Sequence, residues 1–210
     1  MFRDFLAPGG LAERVAGTGA RLDAGGLTLA EAGQSIRAAI QAAEWPEAAR
    51  QAILAGYREL ARRTGVPEPA VAVRSSATAE DLPDASFAGQ QETFLNVRGE
   101  TALLDACRRC YASLYTDRAI TYRRLKGFEH AKVALSVGVQ HMVRSDTGGA
   151  GVMFSIDTES GFDKVVLINA AWGLGETVVQ GSVSPDEYQV FKPLLDQPGL
   201  VPILEKKLGA

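Results

Sequence analysis

Arg74 opens a run of small, hydroxylated and flexible residues that extends to Glu92, with β-favouring stretches on either side at residues 70–74 and 93–97. A guanidinium at the end of an apolar strand holds a permanent charge on a planar fork of donors, which suits phosphate oxygens better than a lysine's point charge. The same residue type at a strand end also serves in structural ion pairs. Within the run, Gly89 lacks a side chain, so backbone amides there could approach a polyphosphate closely, or the residue could simply make a turn. Thr93 follows at the start of the next strand, with a hydroxyl for a phosphate oxygen or for the backbone. Ser75 and Ser76 lack the Gly-x-Ser-x-Gly surroundings of a nucleophile and have no histidine nearby in sequence, so they read as loop-shaping residues. The chemistry these types suggest is the cradling of phosphate.

A second polar position is Gln140, in Val137-Gly138-Val139-Gln140-His141-Met142-Val143. An amide donates and accepts at once, which fits a purine or ribose edge and equally fits a structural role at a sheet edge. Met142 and Val143 could offer apolar surface to a base, and strand alternation sends His141 to the face opposite Gln140.

The elements that must hold these residues fall into two kinds. Residues 28–44 begin with Thr28 and carry Glu31 three positions later, a capping-box pattern, followed by Ile36, Ala39, Ile40 and Ala43 at helical spacing. A second helix is predicted from Pro46 to Gly65, with Ala49, Ile53, Tyr57 and Leu60 on one face. Before them, six glycines among residues 9–26 limit any helix to a short one around residues 11–15. After Pro69 come strands at 70–74 and 93–97 and one long helix over 101–126. Further strands are predicted at 133–143, 150–156, 164–172 and 187–191, and a loosely ordered tail after Pro193.

Composition narrows the function classes. A net charge of −3 disfavours a dedicated nucleic-acid or anionic-membrane binder, and no apolar run reaches membrane-spanning length. Residues 108–126 nonetheless gather Arg108, Arg109, Arg118, Arg123, Arg124 and Lys126 against the single acid Asp117, a solvated face or a means of steering an anion. Cys107 and Cys110 share a helical stripe with Leu103 and Leu114 and read as small core hydrophobes rather than half of a zinc site. Asp157, Glu159 and Asp163 lack the EF-hand spacing and read as a polar hairpin.

Val73-Arg74-Ser75-Ser76, the stretch from Asp117 to Arg123, the stretch from Ala150 to Asp163, Trp172-Gly173-Leu174-Gly175-Glu176 and Val179-Gln180-Gly181 together resemble the ATP-binding domain of the phosphoenolpyruvate synthase and pyruvate phosphate dikinase family. The resemblance covers nearly the whole chain. It implies an α+β fold, an incomplete ATP-grasp-like nucleotide-binding domain with a helical N-terminal part and a mainly antiparallel β-rich part. The expected divisions are a helical segment over 1–69, a nucleotide-binding segment over 70–193 and a tail over 194–210. Phosphohistidine and pyruvate-binding domains are expected outside the chain. By resemblance Arg74, Gly89, Thr93 and Gln140 line the nucleotide site. Arg118 and Arg123 are the better contact candidates of the basic stretch, and Glu176 either orients a ligand or caps a helix. No catalytic residue and no metal ligand is assigned within the chain.

The activity implied is phosphorylation of pyruvate to phosphoenolpyruvate with ATP and water through a phosphohistidine, a cytoplasmic, gluconeogenic kinase reaction. ATP and Mg²⁺ are the expected cofactors. Pyruvate and a phosphohistidine domain are the expected partners in a parent enzyme that could be a homodimer, with no nucleic acid and no membrane. The isolated chain is expected to be inactive. The alternatives are the ATP-binding part of a rifampicin phosphotransferase or of a pyruvate phosphate dikinase, or a noncatalytic nucleotide-binding module.

Overall fold

A computed structural model describes residues 1–77, 81–82, 85–86, 92–127 and 133–209. The chain divides into two compact units, Met1–Met142 and Val143–Ala210.

The first unit begins with helices α1 (Phe2–Leu6), α2 (Leu11–Asp23), α3 (Leu29–Ala42) and α4 (Glu47–Thr64). The capping box forms as expected: the Thr28 hydroxyl accepts from the Glu31 N–H at 3.3 Å, and the Thr28 N–H donates to the Glu31 carboxylate at 2.8 Å. Gly65, in the left-handed region at φ 68°, closes α4. The glycine-rich start departs from expectation, because α2 runs for 13 residues straight through Gly17 and Gly19. Its Leu11, Val15, Thr18 and Leu22 are buried on one face, and that packing outweighs the roughly 0.5–1 kcal/mol penalty of each helical glycine.

Strand β1 (Val71–Ala77) follows, then a two-residue antiparallel pair, β2 (Asp81–Leu82) with β3 (Ala85–Ser86), and then β4 (Thr93–Val97). The long helix expected over 101–126 is two, α5 (Glu100–Ser113) and α6 (Asp117–Leu125). The break lies at Thr116, an N-cap whose hydroxyl accepts from the Ala119 N–H at 3.3 Å. Strand β5 (Leu135–His141) completes an antiparallel three-stranded sheet in the order β4-β1-β5.

Helix α5 lies against all three strands of this sheet. Val71 and Val73 are fully buried beneath it, in one core with Leu103, Cys107, Cys110 and Leu114. Burial pushes both thiols up to about 12, as befits small core hydrophobes. Tyr57 of α4 ties the layers together: its hydroxyl donates to the Pro69 carbonyl at 2.9 Å, ahead of β1, and accepts from the Gly99 N–H at 3.0 Å, ahead of α5.

The second unit is a four-stranded antiparallel sheet in the order β6-β7-β8-β9, comprising β6 (Gly149–Phe154), β7 (Val165–Trp172), β8 (Asp186–Phe191) and β9 (Ile203–Lys207), with a short helix α7 (Gly175–Val179). The tail is therefore not loose: β9 pairs along β8, and the Gly209 N–H donates to Asp186 at 2.9 Å. The acidic stretch between β6 and β7 is the expected polar turn. There the Asp157 carboxylate accepts from the Ser160 hydroxyl and, at 3.1 Å, from the Glu159 N–H, while Gly161 turns the chain at φ 76°. Helices lead and antiparallel sheets follow, the α+β order the sequence implies.

Candidate functional site

The register of the first sheet decides which side chains can act together. Arg74 pairs with Thr93 on β4 and with Gly138 on β5, while Ala72 pairs with Gln140. Directly paired residues of antiparallel strands share a face, and so do residues two apart along a strand. Arg74, Thr93 and Gln140 therefore stand on one face, opposite the buried Val71 and Val73, and all three are exposed. Gly138 forms the floor beside Arg74: a Cβ placed there would meet only the Arg74 carbonyl oxygen, at 3.9 Å. That leaves open space against the guanidinium stem. Arg74 is exposed, and among the described residues no ion pair to it forms.

Two expectations need correction here. Arg74 does not end its strand: β1 continues to Ala77, because Ser75, Ser76 and Ala77 pair in register with Val137, Ser136 and Leu135. The arginine is thus fixed at the middle of the central strand, held on both sides, which orients it better than a strand end would. The basic stretch, in turn, is largely structural. Arg108 donates to the Gln41 and Ala43 carbonyls at 3.4 and 3.5 Å, Arg109 lies over the Phe94 ring at 4.1 Å, and Arg124 reaches Asp23 at 3.7 Å. Arg123 is fully buried, its guanidinium 5.4 Å from the Tyr115 ring centre, and burial pushes its pKa down to about 10.

His141 pairs with Val71 and so lies on the face opposite Gln140, as alternation requires. Gly89 lies outside the described residues. Glu176, in the first turn of α7, accepts from the Gln180 side chain at 2.9 Å. Among the described residues no three His, Cys, Asp or Glu side chains come together as a metal site would require. Sequence reasoning passed over Gly138, although a glycine inside a β-branched strand is itself a sign of close approach by a ligand or backbone.

This face offers a permanent cation, a hydroxyl, an amide and a side-chain-free floor on a rigid sheet, a set suited to a phosphorylated ligand that also carries a hydrogen-bonding ring or sugar.

Comparison with known proteins agrees with that chemistry. The family model described as pyruvate phosphate dikinase, AMP/ATP-binding domain, matches residues 1–210. The chain is 53% identical over 210 residues to a phosphoenolpyruvate synthase of Neisseria meningitidis, covering all of this chain and 26% of that protein. It is 57% identical over 176 residues to one from Helicobacter pylori, covering 84% of this chain and 22% of the relative. A phosphoenolpyruvate synthase of Escherichia coli is 52% identical over 203 residues, covering 95% of this chain and 25% of the relative. The chain thus spans about a quarter of the length of these curated relatives. With its whole length matched by one model, the chain belongs to the pyruvate phosphate dikinase AMP/ATP-binding domain family.

Proposed function

We propose that this chain is the ATP-binding portion of a phosphotransferase that converts pyruvate, ATP and water to phosphoenolpyruvate, AMP and phosphate through a phosphohistidine. The observation that carries the nucleotide part is the co-facial set of Arg74, Thr93 and Gln140 around the Gly138 floor. Arg74 and Thr93 face each other across one strand pair, so a phosphate placed there receives a charged fork from one side and a hydroxyl from the other. Gln140 lies one side-chain row away on the adjacent strand, where its amide can read a ribose or base. Gly89 belongs to the same reading as a point of close backbone approach.

ATP enters as its Mg²⁺ complex, and the metal supplies neutralisation of the phosphate charge. No step is assigned here to a metal ligand of this chain. The relatives' printed name, phosphoenolpyruvate synthase, supports phosphoenolpyruvate as the product. In this reading pyruvate and a phosphohistidine-bearing domain are the partners in a cytoplasmic parent enzyme that could be a homodimer.

The test is calorimetric titration of the full chain with ATP. Saturable binding at one site, weakened when Arg74 is replaced, is the expected result. Undiminished binding in the Arg74→Ala protein would remove this face from the site.

A further inference from the structure

We infer that Ser76 and Ser136 form the terminal-phosphate end of this face, so that the sheet itself distinguishes nucleoside triphosphate from monophosphate. The inference rests on the nucleotide reading above and extends it to two residues that otherwise look like strand filler.

The face holds three rows across β1 and β5: Ala72 with Gln140, Arg74 with Gly138, and Ser76 with Ser136. Rows two residues apart are separated by about 7 Å in an antiparallel strand, so the three span about 14 Å. The chemistry changes along that length. The first row carries the amide that suits a base or sugar, the second the guanidinium with Thr93 beside it, and the third two hydroxyls. Both serines are exposed. The Ser136 hydroxyl donates to the Ser76 carbonyl at 3.4 Å, a long contact that it can give up for a stronger acceptor.

A nucleotide lying lengthwise with its sugar at Gln140 places its first phosphates at Arg74. The phosphate chain then has one direction left along the sheet, toward the serine row. Hydroxyls there can donate to a terminal phosphate without adding charge, and they crowd it less than longer polar side chains would. AMP ends at the arginine row and never reaches them.

The experiment titrates the full chain, the Ser76→Ala and Ser136→Ala variants and their double variant with ATP and, separately, with AMP. Removal of a hydroxyl that bonds a charged phosphate should weaken ATP binding by about tenfold while leaving AMP binding unchanged. Ser136→Thr keeps the hydroxyl on a residue at home in strands, and it should restore ATP affinity. Equal loss for ATP and AMP, or no loss for either, overturns the serine assignment and leaves the nucleotide site standing. Selective loss of AMP overturns it by reversing the orientation. If the unaltered chain binds neither nucleotide, the nucleotide reading falls first and this inference falls with it.

Discussion

Arg74 combines exposure with rigidity, since its strand is hydrogen-bonded on both sides while its guanidinium stands free of described ion-pair partners. Replacing Arg74 with alanine should cost about 1.5–3 kcal/mol of nucleotide binding, a loss of roughly 10- to 100-fold in affinity. Arg74→Lys should recover only part, because a point charge cannot reproduce the planar fork. Urea unfolding of both variants should stay near the parent, and a large stability loss would mark Arg74 as structural. At the other face of the sheet, Cys107 and Cys110 behave as packing atoms. Their pKa values rise from 9.0 to about 12 because burial disfavours the thiolate. A raised folded-state value means that this contribution to stability is complete below about pH 9 and is lost as pH climbs toward 12, where unfolded thiols ionise and folded ones do not. Iodoacetamide at pH 8 should therefore leave both cysteines unmodified in the folded chain and label both in urea. Rapid labelling of the folded chain would contradict the burial.

At the scale of elements, the start of α3 was plain from residue types, because the signal was local. Thr28 and Glu31 satisfy each other and the exposed backbone donors at the helix start, and nothing distant is needed. Thr28→Ala should lower unfolding stability by about 1 kcal/mol, whereas Thr28→Ser should stay close to the parent in urea titration. The hydrogen bond from the Thr28 N–H holds the Glu31 carboxyl below its ordinary value. The cap's contribution is thus present above the unfolded-state value near 4.5 and fades as pH falls through the lower folded-state value. Helix α2 was under-read for the opposite reason: Gly17 and Gly19 argue locally against it, and only the burial of Val15, Thr18 and Leu22 holds it together. The α5–α6 break was missed, because continuous helical periodicity over 101–126 hid the cap that Thr116 supplies. The candidate site divides in the same way. Arg74, Thr93 and Gln140 were identifiable as residues, but their sharing of a face depends on the β4-β1-β5 register, which joins positions far apart in the chain and follows from no local pattern.

For the molecule as a whole, the two units differ sharply in what each can stabilise. Every member of the hydrophobic core cluster, from Phe2 to Leu135, belongs to the first unit. There an aromatic group of Phe2, Phe5, Trp45 and Tyr111, with ring centres 4.6 to 5.6 Å apart, locks the first helix against α5. Among the described residues of the second unit, Val165 and Leu167 are the only buried apolar side chains, while Met153 and Trp172 stand 69% and 86% exposed. Full burial of a side chain of that size contributes about 1.5–3 kcal/mol. Ordering each residue's backbone costs about 1–2 kcal/mol, so a four-stranded sheet with two such anchors has little of its own to hold it. Residues 1–142 expressed alone should therefore unfold in a single cooperative urea transition with native near-ultraviolet dichroism. Residues 143–210 alone should show no sharp transition and should bind a hydrophobic dye at low urea. A steep, dye-silent transition in the second fragment would mean that its half-buried strand residues stabilise it far more than their exposure implies.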